Sequence, residues 1–115
     1  MPSFEFYQSC YGGEALSREE FGHYAGEGRR VLEGYQRRYR MIPLEEDADR
    51  LAVCRMAEVL QYFEWAENGG QAAGLSVGSM SRSGVPLPDL SRKNRSAELY
   101  RAAGLYFEIY RGCQP

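Results

Sequence analysis

The chain is poor in the residues that usually carry chemistry. Its 115 residues include one histidine, His23, and three cysteines, Cys10, Cys54 and Cys113. The cysteines are odd in number and far apart, and no Cys-x-x-Cys or Cys/His cluster occurs, which speaks against a disulfide framework and against a zinc site. Reduced thiols in a cytosolic protein are the simplest reading. Long hydrophobic runs are also missing, since none approaches the roughly 18 apolar residues of a membrane span. The leading MPSFEFYQSC lacks a basic stretch followed by an apolar one, so no signal peptide is expected and the cytoplasm is the default. Charge of one sign is scarce too. A formal net charge of −2 argues against nucleic-acid binding driven by overall charge. Finally, the chain has no phosphate-binding glycine loop, dinucleotide fingerprint, hydrolase serine elbow or His-Glu-x-x-His, so no enzyme activity, metal or cofactor is expected.

What is present points to a helical protein. The length suits one domain over residues 1–115, able to bury roughly 60–70% of its unfolded surface without metals or disulfides. Aromatic residues make up 13% of the chain, and nine are tyrosines. Tyrosine joins an apolar body to a polar tip, which suits a surface that a partner covers; it also fills a small core.

After Phe4, Phe6 and Tyr7, the triplet Tyr11-Gly12-Gly13 reads as a turn. Ser17 and Glu20 form the S-x-x-E pattern of a capping box. Helix one is predicted from Ser17 to Arg40. Phe21, Tyr24, Ala25, Gly28, Val31, Leu32, Tyr35 and Tyr39 lie on one arc, opposite Arg29, Arg30, Arg37 and Arg40. Its glycines, Gly22, Gly26, Gly28 and Gly34, cost up to ~1 kcal/mol each relative to alanine, so packing must compensate. Gly22 and Gly26, near the polar side, either admit a neighbouring backbone or mark a bend.

Pro43 and Glu45-Glu46-Asp47 then punctuate the chain. Helix two is predicted from Asp47 or Asp49, the candidate N-caps, to Glu67, with Asn68-Gly69-Gly70 as its stop. Leu51, Val53, Met56, Val59, Leu60, Phe63 and Trp65 cover most of its circumference, and a helix apolar nearly all round is buried nearly all round. Either the following loop covers it or another subunit does; the second reading makes Val59 and Phe63 interface residues. Residues 69–92 are rich in Gly, Ser and Pro. A short strand or arm through Leu75 and Val77 and a floppy linker both remain open, while Pro86 and Pro88 discourage a central strand. Helix three is predicted from Asn94 or Ser96 to Arg111, ahead of Gly112. The expected fold class is mostly α, a small three- to four-helix bundle with one long loop or short β-arm.

Three polar features compete for a functional reading. His23, with Glu20 and Glu27 at helical neighbour spacing, has the composition of an oriented general base, and equally that of a solvated surface histidine. The acidic cluster Glu45–Asp49 lacks the order of a calcium loop and suits a helix N-terminus. The arginines of helix one, Arg29, Arg30, Arg37 and Arg40, form a basic stripe that suits nucleic-acid phosphates, an acidic partner, or a solvated face laced with Glu33.

The order of these features resembles that of small head–tail connector, or adaptor, proteins of tailed bacteriophages and prophages. The resemblance spans most of the chain. It runs from Phe6-Tyr7 through Tyr11-Gly12-Gly13, to Ser17-Arg18-Glu19-Glu20-Phe21, to Ala52-Val53-Cys54-Arg55-Met56-Ala57-Glu58. It continues with Leu75-Ser76-Val77-Gly78-Ser79-Met80-Ser81 and closes on Leu105-Tyr106-Phe107-Glu108-Ile109-Tyr110-Arg111-Gly112-Cys113. The chain departs from the family at Val85-Pro86-Leu87-Pro88, where two prolines interrupt a hairpin arm.

The resemblance implies a structural, non-catalytic virion subunit, made in the bacterial host cytoplasm. It would form a homo-oligomeric ring under the portal protein, join the head to a downstream tail-completion protein, and continue the channel through which DNA is packaged. The expected interface is the loop from Leu75 to Arg82 (Leu75, Ser76, Val77, Gly78, Ser79, Met80, Ser81 and Arg82) with Val59 and Phe63 of helix two. The arginine stripe would face an acidic neighbour or the DNA. The alternative is a small DNA-associated regulator using that stripe.

Overall fold

A computed structural model describes residues 1–68 and 90–111. The predicted arm from Leu75 to Arg82, the prolines Pro86 and Pro88, and Cys113 lie outside the described residues. The protein is mostly helical, with a small two-stranded sheet. A short α1 (Phe4–Phe6) runs into a π-helical turn at Tyr7–Tyr11. Then come α2 (Arg18–Arg38), β1 (Arg40–Pro43), α3 (Ala48–Glu67), α4 (Arg92–Gly104) and β2 (Phe107–Tyr110).

Local chemistry explains most boundaries. Gly12 closes the π-turn at φ +81°, a left-handed conformation that glycine adopts without steric cost. Ser17 and Glu20 form the full capping box. The Ser17 hydroxyl accepts from the Glu20 amide at 3.2 Å, and the Glu20 carboxylate accepts from the Ser17 amide at 2.9 Å. Asp47 stands at the N-cap of α3 without capping through its side chain, which lies 3.7 Å from Arg50 instead. Helix α4 begins earlier than its sequence suggests, because the Ser91 hydroxyl caps the Asn94 amide at 3.1 Å.

Helix α3 is the axis of the fold, with α2 on one side and α4 on another. Phe21, Ala25, Gly28, Leu32 and Tyr35 form the buried stripe of α2. Gly28 packs directly against α3: a Cβ there would lie 3.2 Å from the Met56 Cβ and 3.5 Å from the Val53 carbonyl oxygen. Gly22 and Gly26 admit no neighbouring backbone. Nothing lies within 4 Å of a Cβ built at either, and α2 passes through both unbroken.

The apolar circumference of α3 is largely hidden by the chain itself. Ala52, Val53, Cys54, Met56, Ala57, Leu60 and Ala66 are all buried. The expectation that Val59 and Phe63 are exposed to a neighbouring subunit is corrected here. They are 8% and 4% exposed and belong to the same core as Leu99, Ala102 and Ala103 of α4. A central helix in a bundle has neighbours on several sides, so an apolar circumference needs no second copy.

The chain ends differently from its prediction. Helix α4 stops at Gly104, and residues 107–110 form β2, paired antiparallel to β1 with Met41 opposite Ile109 and Pro43 opposite Phe107. An isolated two-stranded ribbon is marginal in water. Phe107, 5% exposed, anchors this one to the core. Helix α2 correspondingly ends at Arg38 rather than Arg40, because Tyr39 turns extended (φ −124°, ψ 156°) to enter β1.

Candidate functional site

The polar centre of the interior is built from the leading turn and α3. Tyr7 is fully buried, and its hydroxyl accepts from the Ala15 and Leu16 amides, each at 3.0 Å, while donating to the Glu58 carboxylate at 2.9 Å. Tyr11 stacks on Tyr7 with ring centroids 5.6 Å apart and donates to the other Glu58 oxygen at 2.7 Å. Arg55 lies 3.5 Å from the same carboxylate. Burial, and then the Glu58 carboxylate, push the Tyr7 hydroxyl up to about 12 and raise that of Tyr11. Both hydroxyls are therefore donors at neutral pH. Gly13 is packed so tightly that a Cβ would fall 2.2 Å from the Tyr7 ring.

A second arrangement, at the surface between α2 and α4, is the best candidate for partner binding. Tyr35 and Tyr39 of α2 meet Tyr100 of α4 at centroid distances of 5.8 and 6.3 Å. Arg38 lies over Tyr35 and Tyr39 at 5.9 and 5.6 Å, and Arg111 over Tyr100 and Tyr39 at 5.0 and 5.8 Å. With Lys93 and Arg101 these residues line an open groove of about 930 Å³, whose lining also includes Val31, Leu99 and Leu105. Four cationic side chains and no carboxylate line it among the described residues. Arg101 is paired with Glu98, and Arg38 and Lys93 form no ion pair among the described residues. Burial raises the Tyr35 hydroxyl, with the Arg38 charge opposing.

The sequence-predicted stripe is only partly assembled. Arg29 is paired with Glu33 at 3.0 Å, while Arg30 and Arg37 are exposed on α2. Arg40 lies in β1 and sits over Tyr110 at 5.7 Å. The α2 arginine at the groove is Arg38, which is not part of the predicted stripe. Lys93, Arg101 and Arg111 come from elements 50 or more residues away, and only tertiary packing joins them to it. The interleaving Tyr35-Gln36-Arg37-Arg38-Tyr39 was the local signal.

His23 is exposed and meets Tyr24 edge-on at 4.7 Å. Its flanking carboxylates are engaged elsewhere, Glu20 in the capping box and Glu27 with Arg95 at 3.1 Å. Cys10 is exposed. Cys54 is buried, and that burial pushes its thiol up to about 12. Among the described residues no three His, Cys, Asp or Glu side chains come together as metal ligands, and no described helix is long and apolar enough to cross a membrane. The aromatic surface left on α3 is Tyr62 and Trp65, 38% and 46% exposed, with centroids 6.1 Å apart. Compared with known proteins, the chain matches no family model, no curated protein and no solved structure.

Proposed function

We propose that this chain is a structural subunit of a phage or prophage head–tail connector. In this reading copies made in the host cytoplasm form a ring beneath the portal, join capsid to tail, and continue the DNA channel. The observation that carries the reading is spatial. Two sequence blocks of the connector resemblance, the Tyr7–Gly13 turn and the Cys54–Glu58 stretch of the second helix, are parts of one hydrogen-bonded unit, joined by Tyr7, Tyr11 and Glu58. Gly13 is fitted against Tyr7 in that unit and Gly12 turns the chain at φ +81°, so each glycine has a physical reason to follow the tyrosines. The groove between α2 and α4 adds a cationic, aromatic surface of the kind that engages an acidic partner.

The test is co-expression with a portal protein from the same genome. Ring-shaped complexes of the two by electron microscopy and native mass spectrometry are the expected result. A portal that purifies without this chain, together with a gene neighbourhood empty of capsid and tail genes, would overturn the reading.

The exposed Arg30 and Arg37 sustain the alternative of a small DNA-associated protein. That alternative requires binding to duplex DNA at low ionic strength, with a log–log salt slope of about −0.9 per phosphate contacted. A flat titration there removes it.

A further inference from the structure

We propose that the groove between α2 and α4 receives the acidic turn of a second copy of this chain, Leu44-Glu45-Glu46, in a head-to-tail contact. The inference rests on the connector reading and assigns its subunit interface.

The turn has the complementary chemistry. It joins β1 to α3 and is held by its backbone, with the Leu44 amide donating to the Tyr106 carbonyl at 2.9 Å and the Ala48 amide to the Glu45 carbonyl at 3.2 Å. A turn fixed this way loses little freedom on docking. Its side chains nevertheless face solvent. Leu44 is 58% exposed, Glu45 and Glu46 are exposed, and neither glutamate forms an ion pair among the described residues. An apolar side chain followed by two carboxylates meets a groove whose lining combines the apolar Val31, Leu99 and Leu105 with cations that include Arg38 and Lys93. Each side has charges with no ion-pair partner within the described chain, and each supplies what the other lacks.

The geometry of assembly follows. Groove and turn are separate patches, so a copy that meets one neighbour through its groove and another through its turn makes heterologous contacts, and repeated heterologous contacts close into a ring when the rotation permits. Duplex DNA in the groove is the competing occupant. The second copy is favoured because the exposed Leu44 and Leu105 can then cover one another, which phosphates do not achieve.

The test uses two full-length double variants, Glu45→Lys/Glu46→Lys and Arg38→Glu/Lys93→Glu. All four side chains are exposed, and circular dichroism and thermal unfolding check that the fold is kept. Self-association is read by sedimentation velocity and native mass spectrometry at high protein concentration and low salt. Wild-type protein should associate, and more weakly at high salt. Each variant alone should need about tenfold or more higher concentration to associate. An equimolar mixture should regain association in complexes containing both variants, because the unaltered groove of one then faces the unaltered acidic turn of the other, and the two new groove carboxylates face the two new lysines. Should one variant misfold, Glu45→Gln/Glu46→Gln supplies a milder change, expected to weaken association without reversing it.

A wild-type protein that stays monomeric throughout overturns the proposal, as do variants that associate normally or a mixture that stays apart. Arg38→Glu/Lys93→Glu losing duplex binding while self-association is untouched gives the groove to DNA and likewise overturns it. None of these outcomes touches portal co-assembly, so this contact can fail while the connector reading stands.

Discussion

At Tyr7 a single hydroxyl completes three hydrogen bonds inside the core, two from backbone amides and one to Glu58. Tyr7→Phe keeps the ring and strands those partners. The expected loss is about 1–3 kcal/mol, measured by urea unfolding, since buried groups left without partners are costly. The same residue sets a pH dependence. Its folded value is about 12 against an ordinary 10. Below about pH 10 it is neutral in both states and its contribution is fully present. Between about 10 and 12 the unfolded chain gives up the proton and the folded chain does not, so stability falls as pH rises. Tyr7→Phe should flatten that decline, by at most about 1.4 kcal/mol per pH unit, without abolishing it. Cys54 and Tyr24, also pushed up to about 12 by burial, act in the same direction. Two glycines make a second residue-scale contrast. Gly13→Ala drives a methyl into the Tyr7 ring and should cost about 1–3 kcal/mol. Gly22→Ala meets open space inside α2 and should gain about 0.4–1 kcal/mol. Equal effects in denaturant titrations would contradict the packing described.

Among the elements, the β1–β2 ribbon depends most on its surroundings. Four residues per strand give few ladder bonds, and the pairing persists because Phe107 is driven into the core beside α3 and α4. Phe107→Ala should therefore cost about 3–5 kcal/mol and release the ribbon, seen as fast hydrogen exchange at residues 40–43 and 107–110 while α3 stays protected. The sequence at this end favours helix by pattern, since Leu99, Ala102, Ala103, Tyr106, Phe107, Ile109 and Tyr110 share one helical face. Short apolar runs are ambiguous between the two periods. Here β-branched and aromatic residues, and a partner strand at residues 40–43, decide for the sheet. Helix α2 was legible almost to the residue, because its cap and buried stripe are local properties.

For the whole molecule, α3 separates what the chain hides from what it offers. Val59 and Phe63 face inward, while Tyr62 and Trp65 face out. Phe63→Ala should lower stability by about 3–5 kcal/mol. Trp65→Ala should cost less, about 1–2 kcal/mol, since only part of its ring is covered. Thermal unfolding of both variants checks the difference; comparable losses would mean that Trp65 is covered by something beyond the described chain. The surface best suited to a partner is accordingly the cationic, aromatic groove between α2 and α4 rather than an apolar face of α3.

The amino-acid order alone settled the helical class, the capping box at Ser17, the turn at Gly12 and the buried stripe of α2. These depend on neighbours within one or two turns of chain, which a linear pattern records. Tertiary structure decided the rest: that α3 is wrapped by its own chain, that Tyr7 and Tyr11 meet at Glu58, that residues 107–110 pair with β1, and that Arg38 shares a groove with Lys93, Arg101 and Arg111. Each of these joins groups far apart in sequence, and whether they meet depends on how the helices pack, which periodicity along one element does not encode.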